Sequence, residues 1–241
     1  MRVAAVSDEA ALVRHAGEAA ISVADAGLVA TVDGAIVWPD EALLVVADLH
    51  LEKGSAFAAR GVLLPPYDTA ATLARLARLI ARHAPRRVIF LGDTFHDRRA
   101  GERIAAPDRE ALLALLQRRE AVFIAGNHDP AAPGFLDTDA VAELAVGPLT
   151  FRHEPLTGAA PGEIAGHLHP VARVAARGRS LRRRCFVGDG TRLVMPALGT
   201  FAGGLNVRDP AFRPLFPKGF TAHLMGDEKL FAFNRSQCLG G

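Results

Sequence analysis

LLVVADLH, residues 43–50, decides the fold, because an apolar run too short for a helix ends there in an aspartate and a histidine. A continuous apolar run of this length is typical of a strand buried on both faces of a sheet. Two similar runs follow, Val88 to Leu91 before Gly92-Asp93, and Val122 to Ala125 before Gly126-Asn127-His128-Asp129. Each predicted strand therefore delivers polar side chains at its end, where the following loop is free to shape a pocket.

Two predicted helices separate these three strands. Pro65-Pro66-Tyr67-Asp68 stops the chain, and we expect it to cap a helix whose apolar stripe includes Leu76. Pro107-Asp108 opens a second, leucine-rich helix, which we expect to end at Arg118-Arg119. The resulting β-α-β-α-β alternation indicates a layered α/β fold.

Short strands are predicted on both sides of this alternating region. Those before it are Ile21 to Val23, Leu28 to Val32 and Ala35 to Trp38, the last two joined by a hairpin at Asp33-Gly34. After Asp129-Pro130 the chain changes to short strands punctuated by glycine and proline, up to Leu230-Phe231-Ala232-Phe233. We therefore expect a single domain over residues 1–233, followed by a polar tail over residues 234–241 that is a candidate for disorder.

The amino-acid composition favours an anionic substrate but does not identify it. The chain has 241 residues and a formal net charge of +2, and only Lys53, Lys218 and Lys229 of its 28 basic residues are lysines. Arginine recognises phosphate bidentately, so its dominance favours an anionic substrate. For any single arginine pair, however, a general preference for arginine together with solvated helix faces is the better explanation.

Cysteine usage and hydropathy exclude several classes of protein. Cys185 and Cys238 lie far apart outside any CxxC pattern, so we predict free thiols rather than a disulfide framework or a thiolate zinc site. No apolar run approaches the roughly 20 residues that span a bilayer. We expect a cytoplasmic protein without a membrane partner.

The chemistry-bearing side chains fall into five short segments, which together suit two divalent cations. The segments are Asp48-Leu49-His50, Gly92-Asp93, Gly126-Asn127-His128-Asp129, Arg152-His153-Glu154 and Gly166-His167-Leu168-His169. Phosphodiester hydrolysis needs a nucleophile active at neutral pH and charge compensation on the phosphate, and two neighbouring cations supply both. Mixed nitrogen and oxygen ligands suit Mn²⁺, Fe²⁺ or Zn²⁺ better than Ca²⁺. This pattern favours phosphoester hydrolysis.

Spacing predicts how some of these ligands are arranged. Asp48 and His50 are two residues apart, as are His167 and His169, so on an extended strand end each pair has its side chains on one side. Asp93 follows a glycine that permits a tight turn and is the natural carboxylate to bridge two cations. A single histidine such as His153 is the weakest ligand prediction, because it could equally be a satisfied core residue.

The order and spacing of these motifs resemble the calcineurin-like metallophosphoesterase superfamily, with its DxH, GDxxx, GNH(D/E), lone His and GHxH motifs. The resemblance implies an αββα sandwich of two mixed β-sheets flanked by helices. It further implies one metal held by Asp48, His50 and His169, a second held by Asn127, His153 and His167, and Asp93 as the bridge. In the same family pattern His128 steadies the phosphate and protonates the leaving group, and Asp129 tunes it.

A finer resemblance covers almost the whole chain. It rests on Ala47 to Gly54, Leu64 to Thr69, Gly92 to Asp97, Pro196 to Gly199 and Gly203 to Leu205, which are similar to the bacterial ligase-associated DNA damage response endonuclease family PdeM. Phenylalanine often stands in that family where this chain has Leu198. The resemblance implies DNA as substrate, two metal ions with Mn²⁺ first, and functional association with an ATP-dependent DNA ligase, helicase and nuclease repair set.

Three functional classes remain open at this stage. The first is a DNA endonuclease or phosphodiesterase, for which Lys53, His96, Arg98 and Arg99 are candidate substrate contacts. The second is a small-molecule phosphoesterase acting on a nucleotide or a pyrophosphate-linked metabolite, because one metal core serves all of these substrates. The third is a metal-binding scaffold without turnover, against which the intact Asn127-His128-Asp129 argues.

Overall fold

Two mixed β-sheets dominate the computed structural model, which describes residues 16–176 and 178–240. The strands are β1 (Glu18–Val23), β2 (Ala26–Thr31), β3 (Ile36–Trp38), β4 (Leu43–Val46), β5 (Arg87–Phe90), β6 (Glu120–Ile124), β7 (Ala140–Val141), β8 (Glu143–Val146), β9 (Leu149–Arg152), β10 (Glu163–Ala165), β11 (Val171–Ala176), β12 (Arg179–Gly188), β13 (Leu193–Val194), β14 (Thr221–Met225), β15 (Leu230–Asn234) and β16 (Cys238–Leu239). The α-helices are α1 (Lys53–Ala58), α2 (Asp68–His83), α3 (Ala100–Arg103) and α4 (Ala106–Leu116).

The first sheet has the strand order β1-β2-β3-β4-β5-β6-β7. Its first four strands are antiparallel, and β4 to β7 are parallel. Strands β4, β5 and β6 are the three apolar runs that the sequence predicts, and α2 and α4 lie between them in the chain. Since parallel strands end at one edge of a sheet, the polar residues after these three strands are brought together.

The second sheet follows the order β15-β14-β12-β13-β10-β9-β8, with β11 paired to β12 and β16. Strands β9, β10 and β13 are mutually parallel, whereas the remaining pairings are antiparallel. Both sheets are therefore mixed, and the predicted α/β sandwich of two mixed sheets is confirmed.

Three buried clusters hold the layers together. Leu76 of α2 and Leu112 of α4 pack with Phe90 on the outer face of the first sheet. Ile89, on the opposite face of β5, packs between the sheets with residues of the second sheet such as Phe186. The outer face of the second sheet is covered by an irregular segment that contributes four phenylalanine and leucine side chains, namely Phe212, Leu215, Phe216 and Phe220.

Several local predictions need correction. All four α-helices in the described ranges lie between residues 53 and 116, so α-helices cover the first sheet and a loop covers the second. The Asp68 side chain does not cap α2 but accepts a hydrogen bond from the Gly54 amide at 2.8 Å. Within residues 234–241, the predicted tail, Cys238–Leu239 forms a short strand that pairs with β11.

Two negative predictions concern the cysteines and the membrane. Cys185 and Cys238 are both free thiols, and both are buried. Within the described ranges, no helix combines the length and the apolar character that crossing a membrane requires.

Leu76→Ala is expected to lower the free energy of unfolding by about 2–5 kcal/mol, because Leu76 is fully buried between α2 and the sheet. Leu63→Ala is the matched control, since Leu63 is 87% exposed and its truncation leaves no cavity. Chemical denaturation of both variants in the presence of EDTA measures the difference without a contribution from bound metal. Equal stabilities would contradict the packing described above.

Candidate metal centre

Seven predicted ligands meet at one edge of the sandwich, because each follows the carboxyl end of a parallel strand. Those from the first sheet are Asp48 and His50 after β4, Asp93 after β5 and Asn127 after β6; those from the second are His153 after β9, and His167 and His169 after β10. Ligand atoms of Asp48, His50 and His169 lie within 4.8 Å of one another, and so do those of Asp93, His153 and His167. The sheets thus place two adjacent ligand groups across their interface.

The backbone at these ligands is not the extended strand end that the two-residue spacing suggested. Asp48, His50, Asp93, His167 and His169 all have positive φ angles, between 45° and 67°. Left-handed conformations of non-glycine residues cost about 1–3 kcal/mol each and persist where the surrounding structure enforces them. The paired ligands still converge, but through alternating left-handed residues rather than through the parity of a strand.

Asp48, His50 and His169 form the first ligand group. Asp48 is fully buried and its Oδ1 lies 3.1 Å from His169 Nε2, while His50 Nε2 lies 3.3 Å from the same nitrogen. The backbone amide of His167 donates to both carboxylate oxygens of Asp48, at 3.2 and 3.0 Å, which fixes the orientation of that carboxylate. These distances suit three side chains that face one shared point.

The second ligand group surrounds His153. Its Nδ1 donates to the Leu91 carbonyl at 2.9 Å, so Nε2 is the ring nitrogen that faces the other ligands. From Nε2 the nearest oxygens are Asn127 Oδ1 at 2.9 Å and Asp93 Oδ2 at 3.4 Å, and His167 Nδ1 lies 3.2 Å away. A histidine anchored by its second nitrogen to a backbone carbonyl is typical of metal ligands.

Glycine at position 92 is required by the close packing of this group. Gly92 has φ +70°, and a Cβ there would lie 2.5 Å from the His153 ring. Any side chain at this position would therefore displace the His153 ring. Glycine is needed in the GD motif both for this close contact and for its positive φ angle.

The charges at the centre are set by burial and by contacts among the ligand side chains. Burial and the neighbouring His169 lower the pKa of His50 to about 3, so its ring is neutral and free to coordinate. Burial opposes ionisation of Asp93, but hydrogen bonding to His153 prevails and lowers its pKa to about 2. Burial alone would lower the pKa of His153, yet hydrogen bonding to Asp93 and the charge of Asp48 raise it to about 9. The carboxylates thus attract a cation, and a metal bound at His153 would replace the proton on that ring, so the donor set fits two divalent metals.

His128 lies beside the ligands with its ring orientation fixed. Its Nδ1 donates to the His96 carbonyl at 2.8 Å, and its Nε2 lies 4.0 Å from Asp93 Oδ2. The His96 ring stacks on that of His128 with a centroid separation of 5.2 Å. This arrangement directs His128 Nε2 towards the ligands, where it can deliver a proton to a substrate. The contacts from His96 orient the His128 ring, a role that the sequence left open.

Asp129, predicted to tune His128, makes no hydrogen bond to the His128 ring in the structure. Its Oδ2 accepts from the Phe95 amide at 2.9 Å, inside the protein, and burial raises its pKa to about 7. The hydrogen-bond partner of His128 Nδ1 is the His96 carbonyl, and the tuning of His128 by Asp129 stays a prediction. Asp129 instead ties the Asn127-His128 loop to the loop after Asp93.

Two open cavities adjoin the centre and share His128. The first has a volume of about 370 Å³ and is lined by ligand histidines together with Lys53, His96 and the Gly203-Gly204-Leu205 segment. The second, of about 600 Å³, is a groove lined by Arg60, Asp97, Arg98, Arg99 and Arg103 among others. Arg98 and Arg99 are exposed along this groove.

The groove arginines differ in their internal partners. Arg103 is engaged by both oxygens of Asp97, at 2.9 and 2.8 Å, and Arg99 Nε lies 3.1 Å from Glu102 Oε2. No ion pair to Arg98 occurs within the described ranges. Arg60, exposed in the same groove, likewise has no ion pair among the described residues, so Arg60 and Arg98 are the groove arginines best placed to meet an anion from outside.

The fold and this dinuclear donor set define a metal-dependent hydrolase of phosphoesters. The model of the family described as calcineurin-like phosphoesterase matches residues 42–174, which carry Asp48, Asp93, Asn127, His153 and His169 among the predicted ligands. The chain belongs to the calcineurin-like phosphoesterase family.

Two solved structures are similar to this chain, to different extents. The nuclease MPE of Pseudomonas putida is 34% identical with a TM-score of 0.70, and the match covers 90% of this chain and all of that one. Yfce, a phosphoesterase from E. coli, is 14% identical with a TM-score of 0.41, covering 79% of this chain and 96% of its own, which is too distant to inform function. None of the curated proteins matches at a significant level.

Proposed function

We propose that this protein is a divalent-metal-dependent phosphodiesterase that cleaves DNA as an endonuclease. The observation that carries the proposal is the continuity of the metal centre with the arginine-lined groove, through the shared side chain of His128. A 34% identical protein described as a nuclease supports the same assignment. By family resemblance, we further propose a role in DNA repair alongside an ATP-dependent ligase, helicase and nuclease set, with Mn²⁺ as the metal.

The chain's own residues divide the work of hydrolysis. Bound cations would supply an activated water and neutralise charge on the phosphate oxygens. Asp93 Oδ2 lies 3.4 Å from His153 Nε2 and 3.9 Å from His50 Nε2, which supports the proposal that this carboxylate would serve both ligand groups. His128 Nε2 would carry the proton for the departing oxygen, because Nδ1 is held by the His96 carbonyl.

A small-molecule phosphoesterase is the second candidate. The cavity over the ligands, about 370 Å³, falls within the range of small-molecule sites, so it could enclose a nucleotide or a pyrophosphate-linked metabolite. The groove favours DNA instead, because a small substrate bound in the cavity would not extend to Arg98 and Arg99.

A double variant, Arg98→Ala with Arg99→Ala, is expected to weaken DNA binding and to flatten its salt dependence by about one unit of slope per lost phosphate contact. Turnover of a small chromogenic diester should stay nearly unchanged, because neither arginine lines the cavity over the ligands. The measurement is a salt titration of DNA affinity for wild type and variant in Mn²⁺.

The matched control is Arg82→Ala with Arg86→Ala. Both arginines are exposed: Arg82 lies in the last turn of α2, and Arg86 lies just before the amino end of β5, at the opposite edge of the sheet from the ligands. An equal loss of DNA affinity in the control would assign binding to diffuse charge rather than to the groove. Wild-type protein that ignores DNA at low salt but hydrolyses a nucleotide or pyrophosphate metabolite would favour the second candidate.

A further inference from the structure

The segment from Pro196 to Leu205 lies across the metal centre, and we name it the brace. At one end Leu198 N donates to the Ala47 carbonyl at 2.8 Å, and Gly199 N donates to the Asp48 carbonyl at 3.2 Å. At the other end Leu205 N donates to the His169 carbonyl at 3.2 Å. The brace therefore joins the backbone of two ligands that come from different sheets.

Glycine occurs at both contact points, where the brace approaches most closely. A Cβ at Gly199 would lie 2.2 Å from the Leu49 carbonyl oxygen and 3.0 Å from that of Asp48. A Cβ at Gly204 would lie 2.7 Å from the His169 carbonyl oxygen. Backbone is in contact with backbone at each end, so movement of the brace passes directly to the ligand residues.

Two arginines from opposite layers fix the brace. Arg184 of β12 donates to the carbonyls of Ala197, Gly199, Thr200 and Ala202 at 3.0, 2.8, 3.3 and 3.3 Å. Arg75 of α2 donates to the Leu198 carbonyl at 2.5 Å. Five brace carbonyls are thus bound by two half-buried guanidinium groups, although neither arginine lines the cavity over the ligands.

We propose that Arg184, assisted by Arg75, is a positioning residue that sets the metal affinity of the ligand group formed by Asp48, His50 and His169. Asp48 and His169 have φ angles of 52° and 45°, conformations that need enforcement by their surroundings. The brace supplies a hydrogen bond to each. The inference rests on the proposed function only in taking the bound ions as the enzyme's cofactor.

The hydrogen bonds of the brace reach only one of the two ligand groups. Within residues 16–176 and 178–240, no hydrogen bond joins the brace to Asp93, Asn127, His153 or His167. His153 is instead anchored by the Leu91 carbonyl of the first sheet. Loss of the brace contacts should therefore weaken one metal site and spare the other.

The test is Arg184→Met, which keeps the length of the side chain and removes its donors. Calorimetric titration of metal-free protein with Mn²⁺ should show two binding events in wild type. In the variant one event should weaken by roughly 10- to 100-fold, the usual effect of losing a contact that orients ligands, while the other is unchanged. Arg184→Lys should restore part of the loss, since an ammonium group reaches some of the carbonyls.

Two further variants keep the result decisive. Arg183→Met is the control, because Arg183 is exposed on the same strand and its side chain bonds only the Arg182 carbonyl among described residues. Arg75→Met removes one brace contact and should weaken the same event less; it carries the test if Arg184→Met does not fold. Unchanged affinities in both test variants, or equal weakening of both events, would overturn the proposal.

The outcome is separable from that of the proposed function. Metal affinity is read without any substrate, so it reports on positioning alone. Wild-type protein that binds two ions and hydrolyses no phosphoester would contradict the proposed function, whereas the comparison of binding events would still decide the role of Arg184.

Discussion

Asp93→Asn is expected to abolish the dinuclear centre and to reduce phosphodiester turnover by roughly 10⁴-fold or more. Asp93 Oδ2 lies within 4.0 Å of ring nitrogens on His50, His128 and His153, so one carboxylate serves both ligand groups. The amide keeps the shape of the side chain and the acceptor for the His128 backbone N–H. The variant therefore removes the negative charge with little change in packing.

Metal analysis after dialysis against Mn²⁺, followed by a diester assay, measures both effects. Asp97→Asn is the matched control, since Asp97 is four residues further on and its carboxylate pairs with Arg103 outside the ligand set. It should keep both metals and most of its turnover. An Asp93→Asn protein that retains two ions at wild-type affinity would contradict the bridging role.

The sequence predicted the ligand-bearing strands because their signals are local. The predicted apolar runs are Leu43 to Ala47, Val88 to Leu91 and Val122 to Ala125, each followed by a polar motif. They correspond to the strands Leu43–Val46, Arg87–Phe90 and Glu120–Ile124. Because the three strands run parallel, their carboxyl ends lie at one edge of the sheet. Local patterns and topology together explain why the candidate ligands could be proposed before their geometry was known.

The remaining features depend on contacts between distant parts of the chain. Asp68 was expected to cap its own helix, but the Gly54 amide, 14 residues earlier, is its partner. Cys238 was expected in a loose tail, yet it pairs with β11, more than 60 residues away. A local pattern does not encode such partners, since both residues look like ordinary cap and tail residues until the fold brings those partners close.

The same limit applies to the left-handed ligands and the brace. Asp48 and His50 read as part of a strand, because nothing in their spacing signals a positive φ. Arg184 reads as one member of a basic run, Arg182 to Arg184, and only the structure separates it from its exposed neighbours. Strained backbone and its supports are tertiary features, and they occur here where function is expected.

His128→Ala is expected to keep both metals and to slow hydrolysis by roughly 10² to 10⁴, the usual range for loss of a positioned proton donor. His128 contributes its backbone N–H to Asp93 Oδ1, and that bond survives the substitution. The side chain is half exposed at the junction of the cavity and the groove, so its loss opens no large buried void.

Metal analysis and single-turnover kinetics on a diester separate the roles of His128 and Asp93. His223→Ala serves as the control, because His223 lies on β14 beside a different cavity. Using a diester with a more acidic leaving group should shrink the defect in His128→Ala, since such a group departs without a proton. That dependence on the leaving group is expected only of a proton donor. If the defect does not depend on the leaving group, His128 would instead hold the substrate in place. A loss of metal as complete as in Asp93→Asn would make His128 a metal ligand.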